Sequence, residues 1–344
     1  MKVILVSAFL FLGLLCTLTP DAKAQTGGCL SYWSCSAYSL YNAQCYPIIP
    51  QGAFNCQNEG PWMTICEVFS TQCAPPPSYC PTCSKGGASG GGPINLTNGN
   101  TYIQENDLKI PGLGGGLTLS RTWNSIVPSS ESGFESGMFG LHWRSTYEER
   151  VFHGSGEASG YMAYLRADGG LWYFSSTSGV LAAPANERAT LAQNGTQSWT
   201  ITFKDGEKRV FSYTSGALTA LIDRNGNTTS LSYDAGGRLT TVTDPASRHL
   251  YFSYANGSSY LVTGITSDFG ISLSYAYDSQ GRLTQVTEPD QSTVSFQYNA
   301  QSLISAVLDS SGKILESHTY DSAGRGLTSA RANGVDAITI TYPF

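Results

Sequence analysis

Six tyrosines, Tyr213, Tyr233, Tyr254, Tyr277, Tyr298 and Tyr320, recur at gaps of 20, 21, 23, 21 and 22 residues, and Tyr342 extends the series by another 22. A fixed period of this length is the mark of a repeat array, in which each unit buries its apolar face only against its neighbours. The text around the tyrosines repeats as well. Tyr233-Asp234-Ala235-Gly236-Gly237-Arg238-Leu239-Thr240 is matched by Tyr277-Asp278-Ser279-Gln280-Gly281-Arg282-Leu283-Thr284. A third copy, Tyr320-Asp321-Ser322-Ala323-Gly324-Arg325-Gly326-Leu327-Thr328, carries one extra glycine.

Apolar and polar residues alternate before each tyrosine, as in Leu231-Ser232-Tyr233, Ile271-Ser272-Leu273-Ser274-Tyr275 and Val294-Ser295-Phe296-Gln297-Tyr298. Period two places one set on a buried face and the other toward solvent, which predicts half-buried strands. The Asp-x-x-Gly step supplies a turn, because Asp bonds its own backbone two residues on and Gly tolerates positive φ. A second strand follows, such as Leu239–Thr243, closed by a new turn at Asp244-Pro245 or Glu288-Pro289. Each unit is thus a β-hairpin, marginal alone and in need of stacked neighbours.

Charged residues are only 13% of the chain, with 19 Lys+Arg against 25 Asp+Glu and no block of either sign, which argues against nucleic acid as a partner. Met1-Lys2 and the apolar run from Val3 to Leu18, followed by Ala22-Lys23-Ala24, predict a cleaved signal peptide over residues 1–24. An uncleaved anchor is the competing reading. No later segment is long and apolar enough to span a bilayer as a helix. Secretion, the periplasm or the cell surface is the expected location. Cys16 leaves with the signal, and Cys29, Cys35, Cys45, Cys56, Cys66, Cys73, Cys80 and Cys83 remain, all before residue 84. Eight cysteines this dense in an exported segment predict a disulfide module over 25–84, of unassigned pairing. A metal reading rests on Cys80-Pro81-Thr82-Cys83 alone, with no second pair and no nearby histidine, so no metal or cofactor is expected. The module is rich in aromatics, Trp33 and Trp62 among them, which either pack beside disulfides or form a glycan- or protein-binding surface.

A glycine run, residues 85–92, reads as a linker. Residues 93–210 hold further strands, Thr118–Trp123, Ser145–Phe152, Leu171–Phe174 and Thr200–Phe203, separated by turns such as Asp168-Gly169-Gly170. The array then occupies 211–344. The expected class is all-β: a hairpin array preceded by a small disulfide-rich module.

The repeats resemble the YD repeats of bacterial Rhs proteins and of teneurins. The preceding segment resembles the Rhs amino-terminal domain, through Gly92-Pro93-Ile94-Asn95-Leu96-Thr97-Asn98-Gly99-Asn100, Asp107-Leu108-Lys109-Ile110-Pro111-Gly112, Leu119-Ser120-Arg121-Thr122-Trp123-Asn124 and Gly137-Met138-Phe139-Gly140-Leu141-His142-Trp143. The resemblance covers roughly 92–344 and leaves out the cysteine module. It implies a spiralling sheet, open or forming a partial shell, that is non-enzymatic and encloses a toxin or serves in surface contact. It also implies that a chain with this few repeats leaves an open edge for a protein partner.

Catalytic patterns are sparse. The four histidines, His142, His153, His249 and His318, form no metal motif, and Gly87-Ala88-Ser89-Gly90-Gly91 matches a nucleophile elbow only formally. Glu148 and Glu149, adjacent on an expected strand, would face opposite ways. No catalytic residue is assigned. The motif residues Tyr233, Asp234, Gly237, Arg238, Tyr277, Asp278, Gly281, Arg282, Tyr320, Asp321, Gly324 and Arg325 are read as structural, by turn capping and surface pairing. An exported scaffold within a toxin shell or secreted complex is the leading expectation. A carbohydrate-binding surface module is the alternative, with a hydrolase of unseen site behind both.

Overall fold

The alternating segments form one continuous ladder. In the computed structural model, nineteen strands among the described residues pair antiparallel in strict chain order, from Arg150–His153 to Val335–Thr339. The structure describes residues 78–82, 92–127, 135–154, 160–177, 180–184, 187–255 and 259–342, and only the backbone of 31–36, 44–48, 53–57, 65–70 and 89–90. The signal peptide, most of the glycine linker, and Cys29, Cys73 and Cys83 lie outside these residues.

The chain divides into two compact units, Met1–Pro76 and Pro77–Phe344. In the first, Ser31–Ser36 pairs with Ile65–Ser70 and Gln44–Ile48 with Ala53–Gln57, so that Cys35 stands opposite Cys66 and Cys45 opposite Cys56 in the backbone register. Tyr79–Thr82, expected with the cysteine module, belong to the second unit instead: Tyr79 exchanges both backbone hydrogen bonds with Leu171.

Two sequence boundaries move. The division expected at 210/211 falls inside the strand Lys208–Ser212, which pairs on both sides within the same sheet. The strand expected over Ser145–Phe152 is broken: Trp143–Ser145 ends a separate three-stranded sheet and Arg150–His153 opens the long one. The reason is a turn at Thr146-Tyr147, where Tyr147 goes into the core instead of continuing the alternation.

That three-stranded sheet is a long hairpin, Tyr102–Ile110 with Leu117–Asn124, extended by Trp143–Ser145. The residues that flank its strands touch the array at many points. Pro111 O accepts from Arg248, Met138 O from Val262 N, and Gly99 O from Gly326 N, while Ser329 donates to Gly92 O. Arg150–His153, the first strand of the long sheet, also meets the turn after Lys208–Ser212, where Val151 N donates to Gly216 O and Arg150 bridges Ala217. Six strand spacings separate those two strands, about 29 Å if flat. The sheet therefore curls back on itself, with its apolar face on the hairpin. One apolar cluster joins Leu119, Trp123, Phe139 and Trp143 of the enclosed segment to Leu231, Phe252, Leu273, Phe296 and Ile304 of the array. The hairpins thus find their core against the enclosed segment as well as against one another. Among the described residues no helix is long and apolar enough to cross a membrane.

Candidate functional site

Each repeat motif resolves into a set of bonds that ties one hairpin to the next. Asp278 accepts from Gln280 N at 2.9 Å and Arg282 N at 3.0 Å through one oxygen, and from Arg282 Nε at 2.6 Å through the other. Gly281, at φ +74°, lets the turn close. Asp234 with Arg238 and Asp321 with Arg325 repeat the arrangement, with Gly237 at φ +80° and Gly324 at +79°. Backbone N–H and guanidinium bonds from Arg238 hold the Asp234 carboxyl below its ordinary range. At Asp278 and Asp321 partial burial pushes upward, and the bonds from Arg282 and Arg325 outweigh it.

The tyrosines reach back into the preceding repeat. Tyr233, Tyr254, Tyr277 and Tyr298 each donate their hydroxyl to a carbonyl 15 residues back, on Leu218, Leu239, Val262 and Leu283, at 2.6–2.7 Å. Tyr320 reaches Ile304 and Tyr342 reaches Gly326 over 16 residues. Each motif arginine lies over the next tyrosine ring: Arg238 over Tyr254 at 5.1 Å, Arg282 over Tyr298 at 4.8 Å, Arg325 over Tyr342 at 4.3 Å. Burial raises the phenols of Tyr233, Tyr277 and Tyr320, which keeps them donors. A strand bulge falls at each of these tyrosines, from Tyr233 to Tyr320. The bulge turns the side chain so that its hydroxyl reaches back along the sheet.

The extra glycine of the third copy has its own reason. A Cβ on Gly326 would stand 2.4 Å from Thr101 Oγ1 and 2.7 Å from Ile94 Cδ1, where the enclosed segment crosses the array.

Inside the curl is a cluster that sequence reasoning missed. Arg121 is wholly buried, 2.5 Å and 2.7 Å from the two carboxylate oxygens of Asp107, and Tyr275 donates to Asp107 at 2.8 Å. The guanidinium also lies 4.6 Å from the Trp143 ring centre. The signal was present: Arg121 shares the parity of Leu117, Leu119 and Trp123, a charge on an otherwise apolar face. Glu105 lies nearby, its carboxyl pushed up to about 7 by burial, with Asp107, Glu316 and Glu288 adding to the rise and Arg121 opposing it.

The histidines stay apart. His142 packs 6.1 Å from Trp123, and burial lowers its pKa. His153 sits against Trp199, and His249 pairs with Asp268 at 2.8 Å. His318 is buried, 3.4 Å from Glu316, with neither ring nitrogen hydrogen-bonded. Glu148 and Glu149 serve different neighbours: Glu148 accepts from Met138 N at 2.5 Å, and Glu149 accepts from the Tyr164 hydroxyl. Among the described residues no group of three His, Cys, Asp or Glu is placed to hold a metal.

Residues 211–249, 261–293 and 277–314 match the family described as RHS Repeat, and residues 91–174 match Domain of unknown function (DUF6531). The chain carries RHS repeats. Its DUF6531 match contains the enclosed hairpin and the first strands of the curl. Among curated relatives, the tRNA nuclease WapA of Bacillus subtilis (strain 168) is 29% identical over 150 residues, 43% of this chain and 6% of that protein. The tRNA3(Ser)-specific nuclease WapA of Bacillus spizizenii is 31% identical over the same shares. The RHS chain thus spans a small fraction of these relatives. Solved structures with local likeness include TcdB2-TccC3-TEV, with TM-score 0.29, 15% identity and coverage of 67% of this chain and 12% of that one. The Photorhabdus luminescens Tc holotoxin pore carrying the TccC3-D651A mutation gives TM-score 0.25, 13% identity, and 70% and 14% coverage. Both scores are too low to establish a common overall fold.

Proposed function

We propose that this RHS-repeat chain is an exported, non-enzymatic scaffold that forms a partial, spiralling shell within a toxin-associated assembly. The observation that carries the reading is the use made of the motif residues. Every motif tyrosine, aspartate and arginine of the three clear copies is engaged in closing a turn or holding the next repeat, which is how a wall is built and leaves none of them for chemistry. The local match to the WapA tRNA nucleases, proteins far longer than this chain, supports an RHS-type scaffold without bringing their nuclease activity here.

The reading includes a protein partner at the sheet edge. Val335–Thr339 pairs on one side with Gly326–Arg331 and, among the described residues, with no strand on the other. Such an edge is a template for strand addition. Ile340 N donates inward to Leu327 O, so the adjacent Thr339 N–H points to the open side.

Tagged protein, residues 25–344 with disulfides formed, mixed with secreted and envelope fractions of the source organism, tests the reading. Capture of an RHS-rich or toxin-bearing protein is expected, and Thr339→Pro should abolish capture while leaving the thermal transition in place. Retention of polysaccharide with no protein partner would replace the scaffold reading with an adhesive one.

A further inference from the structure

The compact unit Met1–Pro76 holds two separate two-stranded sheets, Ser31–Ser36 with Ile65–Ser70 and Gln44–Ile48 with Ala53–Gln57. The pairs are nested in the chain, the second lying between the strands of the first. Neither ladder is self-sufficient. A lone two-stranded hairpin is marginal in water, and the outer pair also bears the closure entropy of the chain between its strands. Units this small need more than an apolar core to stay folded, and covalent cross-links are one answer.

Four cysteines of the unit fall in these strands, and each has a cysteine as its backbone partner. Cys35 is opposite Cys66 in the outer sheet, and Cys45 is opposite Cys56 in the inner one. A shift of either register would set each cysteine against another residue type. The crossed pairings would join different sheets, where no register brings cysteines face to face. Directly opposed residues of an antiparallel ladder have Cα atoms about 4.5 or 5.5 Å apart, according to the kind of pair. A disulfide spans roughly 4.4–6.8 Å between Cα atoms, so both kinds are within its reach without backbone movement.

We infer that Cys35–Cys66 and Cys45–Cys56 are disulfide bonds, two nested staples that hold the ladders of this unit in register. The spacing of the cysteines along the chain fixes no pairing, whereas the strand register fixes one for these four. The inference rests on the export included in the function proposed above, because a reducing compartment keeps thiols free. As each bond forms, two thiols give two electrons and two protons to the disulfide of an oxidising carrier protein. The carrier becomes a dithiol, and the transfer runs through a mixed disulfide. The outer bond closes the span from Cys35 to Cys66, and the inner bond divides it.

Disulfide mapping of the full chain tests the pairing. Protein recovered from the exported fraction is treated with N-ethylmaleimide to block free thiols. It is then digested with pepsin, whose acid medium stops thiol exchange. Tyr41, Phe54 and Trp62 supply cutting sites between the four cysteines. Mass spectrometry is expected to find peptides linked through Cys35–Cys66 and through Cys45–Cys56. In Cys35→Ser protein, Cys66 alone among the remaining three should take up the label, with the Cys45–Cys56 link retained. A link from any of the four to a cysteine other than its register partner would overturn the pairing. Were all four thiols free, the same mapping would be run on purified chain oxidised in a glutathione redox buffer. The register pairs appearing only there would overturn export and leave the pairing in place. Any other result in that buffer would overturn the pairing itself, so the two readings fail separately.

Discussion

Arg121 is the residue on which the interior turns. Its charge lies at an apolar parity, wholly buried, and is tolerable because Asp107 takes two of its N–H groups and Tyr275 completes the carboxylate. Removing one partner leaves an uncompensated buried charge, so Asp107→Ala should lower stability by about 3–5 kcal/mol. The double variant Asp107→Leu with Arg121→Met should recover most of that loss, because an apolar pair can replace a buried ion pair at little cost. Denaturant titration of both proteins checks this, and an equal loss in both would refute it. Glu105 is the opposite case. Its carboxyl, pushed up to about 7 from an ordinary 4.5, is bound to a proton more tightly in the folded state than in the unfolded one. Ionisation therefore costs stability progressively between these values, nothing below the window and the full amount above it. Glu105→Gln should stabilise by up to about 3 kcal/mol at pH 8 and leave stability at pH 4 unchanged, as read by melting at the two pH values.

At the scale of the hairpin, the tyrosine hydroxyl and the turn glycine make separable contributions. Tyr277→Phe keeps the ring under its neighbours and deletes only the bond to Val262 O, leaving that carbonyl short of a donor. A loss of about 1 kcal/mol is expected. Gly281→Ala meets no crowding, the nearest side-chain atom being 3.7 Å from the added Cβ, so its cost comes from φ +74° alone, about 1–2 kcal/mol. Chemical denaturation resolves the two, and Tyr277→Phe costing nothing would remove the hydroxyl from the set of ties. This level was also the most legible in the sequence. Leu239–Thr243 appears as a strand with the very ends its alternation implied, and the Asp-x-x-Gly turns close where the spacing placed them, because period and turn chemistry are local properties. The reach of Tyr277 to a carbonyl 15 residues back was not legible, since it depends on a bulge at Ala276-Tyr277 that leaves no mark in the alternation. The turn at Thr146-Tyr147 escaped notice for a similar reason. Its polar and aromatic residues continue an apparent strand, and only the destination of Tyr147 in the core, beside Phe252, ends it.

For the whole molecule, the enclosed hairpin changes what kind of array this is. A simple repeat solenoid contacts only nearest neighbours, so local damage stays local. Here one enclosed segment meets repeats far apart in the array: Phe139 meets Tyr275 at 4.8 Å, Trp143 meets Phe296 at 5.2 Å, Tyr147 meets Phe252 at 6.3 Å and Trp123 meets Tyr320 at 6.4 Å. Gly140 comes so close to Gly281 that an added Cβ would stand 2.5 Å from its carbonyl oxygen, a contact between the enclosed turn and a motif turn that leaves no room for a side chain. None of these pairings carries a sequence period, so the repeat pattern alone describes a wall and not what the wall encloses. The physical consequence is cooperativity across the array. Trp143→Ala removes a fully buried ring that packs on both Phe296 and Arg121, with an expected cost of about 3–5 kcal/mol. Amide exchange should then quicken together in strands from His249–Tyr254 to Ile304–Leu308, although residue 143 contacts only some of them. Tyr277→Phe should quicken exchange only in its own hairpin and the next. Acceleration confined to Thr293–Tyr298 in the Trp143→Ala protein would mean that the repeats carry their stability independently and the enclosed segment merely fills the space between them.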